Sequence, residues 1–398
     1  MRDSRRSSEG KIGSLMWDIS GAFGDIGILL PVAVVLIAQN RFNPTALFLM
    51  AGLFYLGSAY YFKITMPVQP LKAMFTIAIA TGLSVEVINA AGISMGVILL
   101  LIAGTGLSVR LGSVIPVSVI RGMQLGLGLV LIKTASALIK IDLSVALIAA
   151  GILAATLFVT KRIPPLIPIL ILAITLSLKE VKLASMGPLS LVPTVPDLSN
   201  FWMGFTLLVL PQLGLTFGNA IIATEATGKL LYGQRAGKLN LTSIPMSMGI
   251  ANLMSGLMGG VPMCHGSGGL TAHRTFGATS ERSGYIIGFT FILLALLLGG
   301  SVLSIVSVFP RGILGVLLCY VGIQHSLLIR DILREKLALF TALTVALTGF
   351  ITNNLTLGLL VGIGIHYASA GLRKISISIG ERVSFRRREP CVISRESL

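Results

Sequence analysis

Apolar runs long enough to cross a bilayer follow one another from residue 17 to residue 371, with few charges inside them. In lipid, each backbone N–H and C=O needs a partner within the protein, so runs of this length fold as helices. Only 12% of the 398 residues are charged, against roughly 25% in soluble proteins. The chain is therefore expected to be an all-α polytopic membrane protein.

Two stretches break this pattern. The first is Met66-Pro67-Val68-Gln69-Pro70-Leu71-Lys72. Neither proline has an N–H to donate, and the residue before each is pushed toward extended backbone. A short helix is expected to start just after Pro70, with free amides and the positive end of its dipole at membrane depth. The second stretch is Gly260-Val261-Pro262-Met263-Cys264-His265-Gly266-Ser267-Gly268-Gly269. Irregular backbone at this depth is tolerated where it lines a cavity, and a helix N-terminus suits an anion. Paired broken segments in two halves point to a transporter's binding site.

Hydropathy and Gly, Pro and charge breaks delimit seven segments in the first half: 17–39, 44–62, a short third after Pro70, 87–109, 112–132, 142–160 and 163–178. The second half gives 201–224, 243–259, a short tenth after Gly266, 284–308, 310–329, 336–351 and 353–371. The expected units are a tail at 1–14, repeats at 15–180 and 201–372, a loop at 181–200 and a basic tail at 373–398. An odd number of spans per half inverts the second half relative to the first. The expectation is thus about fourteen segments in a 7+7 inverted repeat, with half-helices at segments 3 and 10.

The formal charge is +16, yet the basic residues form no nucleic-acid-binding face. They gather in the tails and in loops on one side. Only Arg41, Lys133, Lys140, Lys179, Lys182 and Arg311 fall on the other side, with Lys72 and Arg121 inside spans. The positive-inside rule then puts both termini in the cytoplasm. No small-residue cleavage site follows the first apolar run, and the compact loops suit a prokaryotic inner (plasma) membrane.

Few side chains inside the spans can carry chemistry. Asp25 is an intramembrane carboxylate, expected either to pair with Lys72, to carry a proton, or to fix packing as an ion pair. Lys72 adds a cation to the first broken helix, unless it snorkels to the surface. Gln69 offers two amide donors. Gln212, Thr216 and Asn219 recur at helical spacing, as a substrate-facing stripe or as interhelical hydrogen-bond glue. Glu225 lies farther along as a second candidate for ion coupling. His265 is a donor or pH-sensitive group, Ser267 a hydroxyl donor, and Gly266 and Gly268 allow close approach of a ligand to backbone. Cys264, Cys319 and Cys391 are scattered, and no second cluster completes a metal site beside Cys264-His265. No metal or cofactor is expected. His325 and His366 read as structural, and Arg121 as an ion-pair partner without a visible mate.

These motifs resemble the molybdate transporter family related to sulfate permeases. The resemblance rests on Gly24-Asp25-Ile26-Gly27, Met66-Pro67-Val68-Gln69-Pro70-Leu71-Lys72, Pro211-Gln212-Leu213 with Gly218-Asn219, Pro262-Met263-Cys264-His265-Gly266-Ser267-Gly268-Gly269 and Arg274-Thr275-Phe276-Gly277, and it spans about 17 to 372. It implies core and gate domains, half-helices whose N-termini face each other across the substrate, and oxyanion transport. Gly214 stands where the family often has proline, and Glu225 is outside its pattern. No C-terminal regulatory domain of the kind that sulfate permeases carry is expected, which fits the molybdate branch.

The resulting expectation is a secondary active transporter of an oxyanion, molybdate first, working by alternating access. Asp25, His265 and Glu225 motivate a proton-coupling hypothesis. The alternatives are a sulfate transporter, a nucleobase symporter or an anion channel of the same fold. A nucleobase site usually wants a carboxylate at segment 10, where this chain has His265 and glycines. An intramembrane enzyme would need paired aspartates, Ser-His or His-Glu-x-x-His, and no convincing set is present. Lipid surrounds the chain, and relatives of this fold often form homodimers through the gate.

Overall fold

Proline, glycine and short polar caps set the element boundaries. The computed structural model describes residues 11–26, 40–160, 166–178, 196–298, 308–352 and 354–369, with positions 29, 32, 33, 36 and 37. Helix α1 is Lys11–Ala22, and a turn at 23–25 carries Asp25. Helix α2 is Pro44–Phe62; Asn43 Oδ1 accepts from the Ala46 N–H at 3.2 Å, and Lys63 ends the helix at φ 57°. Strand β1 (Gln69–Pro70) leads into the short helix α3 (Lys72–Thr81), which stops at Gly82. Helices α4 (Val85–Gly104), α5 (Leu107–Val114), α6 (Val117–Ile141) and α7 (Leu143–Ala154, continued by a π turn at Ala155–Thr160) follow, then α8 (Leu166–Leu178).

The second half begins with α9, a run from Leu198 to Ala236. Next come α10 (Ser243–Leu257), strand β2 (Met263–Cys264) and the short helix α11 (Ser267–Phe276). Helices α12 (Arg282–Leu298), α13 (Arg311–Ser326), α14 (Lys336–Ile351) and α15 (Leu355–Ser369) complete the described chain. Among the described residues, five helices are long and apolar enough to cross a membrane. At 1.5 Å per residue, α3 and α11, ten residues each, reach only about half of a 30 Å hydrocarbon core.

Several boundaries differ from the hydropathy reading; the fifth segment, for one, is the helix Val117–Ile141 rather than 112–132. The fourth apolar run divides at Gly104-Thr105-Gly106, because Gly106 sits at φ +68°. The eighth span runs from Leu198 to Ala236, beyond the expected 201–224, and continues through Pro211. π turns at Gly204–Val209 and Thr216–Ala223 flank it, and such local adjustment re-satisfies backbone groups that proline leaves open. Parts of segments 1, 7, 11 and 14, most of the 181–200 loop and the C-terminal tail lie outside the described residues.

Beside a small hydrophobic cluster of Ile329, Ile332 and Ala342, packing separates two large ones. One is built mainly from α1, α2, residues 64–78, α4, α9, α10 and α12; the other mainly from α6, α7, α8, α13 and parts of α14 and α15. Helix α2 packs along α12, α4 along α10, and α6 along both α13 and α14. Three of these pairs cross where glycines meet: Gly52 with Gly288, Gly96 with Gly249, and Gly128 with Gly322. Small residues let the backbones close in where no hydrophobic effect drives helices together. The shift that carries 69 to 264, facing residues in the strand pair, also carries 72 to 267 and 81 to 276. Arg121 is buried and grips Asp331 through Nε and Nη2, while its Nη1 donates to Gln124 Oε1 at 2.9 Å.

Candidate functional site

The two broken stretches meet. Strands β1 and β2 pair antiparallel, with Gln69 opposite Cys264 and Pro70 opposite Met263. Each strand runs directly into its half-helix, so the N-termini of α3 and α11 lie at one crossing and the helices leave it in opposite senses. By helix geometry the first amides of each lack intrahelical acceptors. On the first arm, the Leu71 N–H donates to Pro262 O at 3.3 Å and the Met74 N–H to Gln212 Oε1 at 3.0 Å. Neither half-helix has a side-chain N-cap bond of its own.

Asp25 and Gln69 form the polar floor of the first arm. Gln69 Nε2 donates to Asp25 Oδ1 at 2.6 Å, and both residues are buried. Asp25 Oδ2 and Gln69 Oε1 are also buried and have no hydrogen-bond partner among the described residues. The backbone of α11 presses on this pair. A Cβ at Gly269 would come within 2.4 Å of Pro67 Cβ and 2.5 Å of Gln69 Nε2, and one at Gly266 within 2.5 Å of Gln69 Oε1. Lys72 opens α3, with its Nζ buried.

The second arm is lined by a relay of neutral donors. Ser267 Oγ donates to Asn219 Oδ1 at 2.6 Å. His325 Nε2 lies 3.3 Å from Ser267 Oγ, and His325 Nδ1 lies 2.8 Å from Thr271 Oγ1. In the Nε2–H tautomer His325 donates to Ser267 Oγ, which donates in turn to Asn219, while the Thr271 hydroxyl donates to Ser267 O at 3.1 Å. Asn219 belongs to the π stretch of α9, and its Nδ2 borders Gly266. All four side chains are buried.

Of the residues expected at a site, the structure gathers Asp25, Gln69, Lys72, Asn219, Gly266, Ser267 and Gly268 at or beside the crossing. Gln212 reaches it as a cap: its Oε1 holds Met74, and its Nε2 donates to Thr216 Oγ1 at 3.1 Å. Both ring nitrogens of His265 are engaged elsewhere. Nδ1 donates to Pro67 O at 2.8 Å, and Nε2 meets Ser247 Oγ at 2.8 Å. Its ring packs 4.7 Å from Phe54 and 5.7 Å from Phe62. Glu225 forms an i,i+4 ion pair with the largely exposed Lys229 at 2.7 Å.

Three contributors carry no strong sequence signal. His325 reads as a lone histidine near a span end, yet it joins α13 to α11. Gly269 reads as one of a glycine run, yet it is the tightest contact of the crossing. Asn252 of α10 serves the far edge of β2: its Oδ1 accepts from the Met263 N–H at 2.7 Å, and its Nδ2 donates to Met263 O at 2.8 Å. A polar residue inside an apolar helix was the only available cue.

Comparison with known proteins bears on this arrangement. A family described as "Molybdate transporter of MFS superfamily" matches residues 18–131 and 204–324. Molybdate transporter 2 of Arabidopsis thaliana is 28% identical over 371 residues, which is 79% of each chain. The transmembrane domain of the cyanobacterial bicarbonate transporter BicA superposes with a TM-score of 0.54 at 17% identity, covering 88% of this chain and 97% of that one. The overall structure of SLC26A9 gives a TM-score of 0.56 at 13% identity, over 93% of this chain and 67% of that one. At these identities the likeness to the two transporters is one of fold.

Proposed function

We propose, from the premise that the chain belongs to the molybdate transporter family, that it is a secondary active transporter carrying molybdate through a multi-pass membrane domain by alternating access. The observation that carries this reading is the crossing of β1 and β2, where two helix N-termini, Lys72 and the Ser267–Asn219 pair converge. A tetrahedral dianion needs several donors and a positive field, and opposed helix N-termini provide both. In this reading Gln69, Lys72, Asn219, Ser267 and the amides of Gly266 and Gly268 face the anion, with His325 behind Ser267. Gln212 and His265 hold the frame.

The 7+7 inverted repeat is supported by the helix pairs. Counting segments, α2 with α12 is the pair 2–11 and α4 with α10 is the pair 4–9; a shift by seven exchanges them. The pairs 5–12 and 3–10 map onto themselves. The two large hydrophobic clusters suit a core of segments 1–4 and 8–11 and a gate of 5–7 and 12–14. Among the described residues, the hydrogen-bond links that cross from gate to core include His325 with Ser267 and Thr271, Gln124 Nε2 with Thr227 Oγ1 at 2.7 Å, and the Leu166 N–H with Ser20 Oγ at 3.3 Å. Rocking of one bundle on the other would have to exchange these bonds. The basic loops suit an inner membrane with both termini in the cytoplasm, and a homodimer through the gate fits the fold.

Coupling follows from Asp25. A carboxylate beside a dianion site repels the substrate, and a proton on Oδ2 removes that repulsion and fills an unused position. Substrate and proton would then bind together. Uptake into proteoliposomes tests the whole reading. Molybdate uptake should exceed sulfate uptake, be competed by tungstate, and fall when the pH gradient is collapsed. In Asp25→Asn it should lose that dependence. Equal uptake and mutual competition of sulfate and molybdate would move the function to sulfate. Uptake that ignores the gradient would remove proton coupling.

A further inference from the structure

A cavity of about 480 Å³ lies between α2 and α10, away from the crossing. Its walls include Leu53, Phe54, Gly57, Tyr61, Ser247 and Ile250. Leu53, Tyr61 and Ile250 are more than 40% exposed, so in a multi-pass membrane protein this groove opens to lipid rather than to the transport path. From Met50 to Tyr61 the α2 wall rises about 16 Å at 1.5 Å per residue, enough to seat much of an acyl chain.

One end of the groove is charged. Lys63 caps α2 and holds its Nζ 4.6 Å from the centre of the Tyr60 ring. Lys238, in the loop before α10, holds its Nζ 5.3 Å from the centre of the Tyr61 ring. Both lysines are exposed, and neither is in an ion pair among the described residues. Tyrosine and lysine at a helix end mark the headgroup level. Two ammonium groups above an apolar furrow complement one lipid chemistry, a phosphate without its own cation.

We propose that this groove is a binding site for an anionic phospholipid, with one acyl chain between α2 and α10 and its phosphate at Lys63 and Lys238. The chain would lie against Phe54 and Ser247. These are the side chains that hold His265, whose ring in turn bonds Pro67 of the first broken stretch. The lipid therefore buttresses the joint of the crossing from its outer side.

Native mass spectrometry of the full chain, titrated with phosphatidylglycerol or phosphatidylcholine, tests this. The wild type should retain phosphatidylglycerol about 25-fold better, since each of the two basic residues near the headgroup contributes roughly a fivefold preference. Lys63→Asn with Lys238→Gln should erase the preference; both positions are exposed, and asparagine tolerates the φ of 57° at position 63. Gly57→Phe should lose the bound lipid, because a Cβ there meets no atom within 4 Å and the ring enters the groove. Gly57→Ala should keep it. Equal retention of the two lipids by the wild type, or phosphatidylglycerol bound unchanged by Gly57→Phe, would overturn the proposal. A dimer that Gly57→Phe dissociates, with no lipid held by the wild type, would overturn it in favour of a second copy.

Discussion

The two arms of the crossing reach the same geometry by different chemistry. The first is forced into extended backbone by Pro67 and Pro70 and carries polar and charged side chains: Gln69 on Asp25, then Lys72. The second has one proline and four glycines in Gly260–Gly269, and its backbone is held by side chains of α10. Asn252 bonds both sides of Met263, and Ser255 Oγ donates to Val261 O at 2.8 Å. The first arm supplies charge and the second supplies closeness. A dianion site of the kind proposed needs both, and the two arms divide that labour.

The sharpest way to break this comparison is to remove the charge. Lys72→Ala should weaken molybdate binding at least about a hundredfold, roughly 2.7 kcal/mol, with the thermal midpoint little changed; calorimetry and a melting curve separate the two. Removing closeness should do the reverse. Gly269→Ala places a methyl group against Pro67 and Gln69 and should cost about 1–3 kcal/mol of stability. Gly268→Ala, whose Cβ would meet Leu127 at an ordinary 3.4 Å, should leave the melting midpoint unchanged.

Between these lies the pair of histidines. His325→Ala should raise the Kd for molybdate about tenfold by unsettling Ser267, whereas His265→Ala should lower stability by about 1–3 kcal/mol and leave the ratio of molybdate to tungstate affinity unchanged. If His265→Ala instead altered that ratio, His265 would be a ligand and not a joint. The smallest effect is expected at Glu225→Gln. Its exposed i,i+4 partner Lys229 limits the loss to about 0.5 kcal/mol, and the proton dependence of uptake should not change.

The crossing was legible because prolines at 67, 70 and 262 are hard to place in any spanning helix. The edges of α2 and α14 were legible because Pro44, Lys63 and Lys336 sit where apolar sequence stops. Family membership was legible from the same broken motifs. Other features depend on tertiary distance. Arg121 finds Asp331 only because the turn after α13, Leu327–Ile332, packs on α6. His325 joins the site because its helix crosses α6 at Gly128 and Gly322, and nothing near residue 325 announces that. Pro211 lies inside a continuous helical run because π turns on both sides absorb it. Gln212 was correctly picked as polar and inward, but the pattern could not tell a helix cap from a substrate donor.

The central claim is that the anion sits between the N-termini of α3 and α11. X-ray diffraction from crystals grown with molybdate, collected at the molybdenum edge, tests it most directly. The account predicts one strong anomalous peak within hydrogen-bonding reach of Ser267 and the first amides of both half-helices. A peak elsewhere, or none at saturating molybdate in crystals that show the crossing intact, would contradict it.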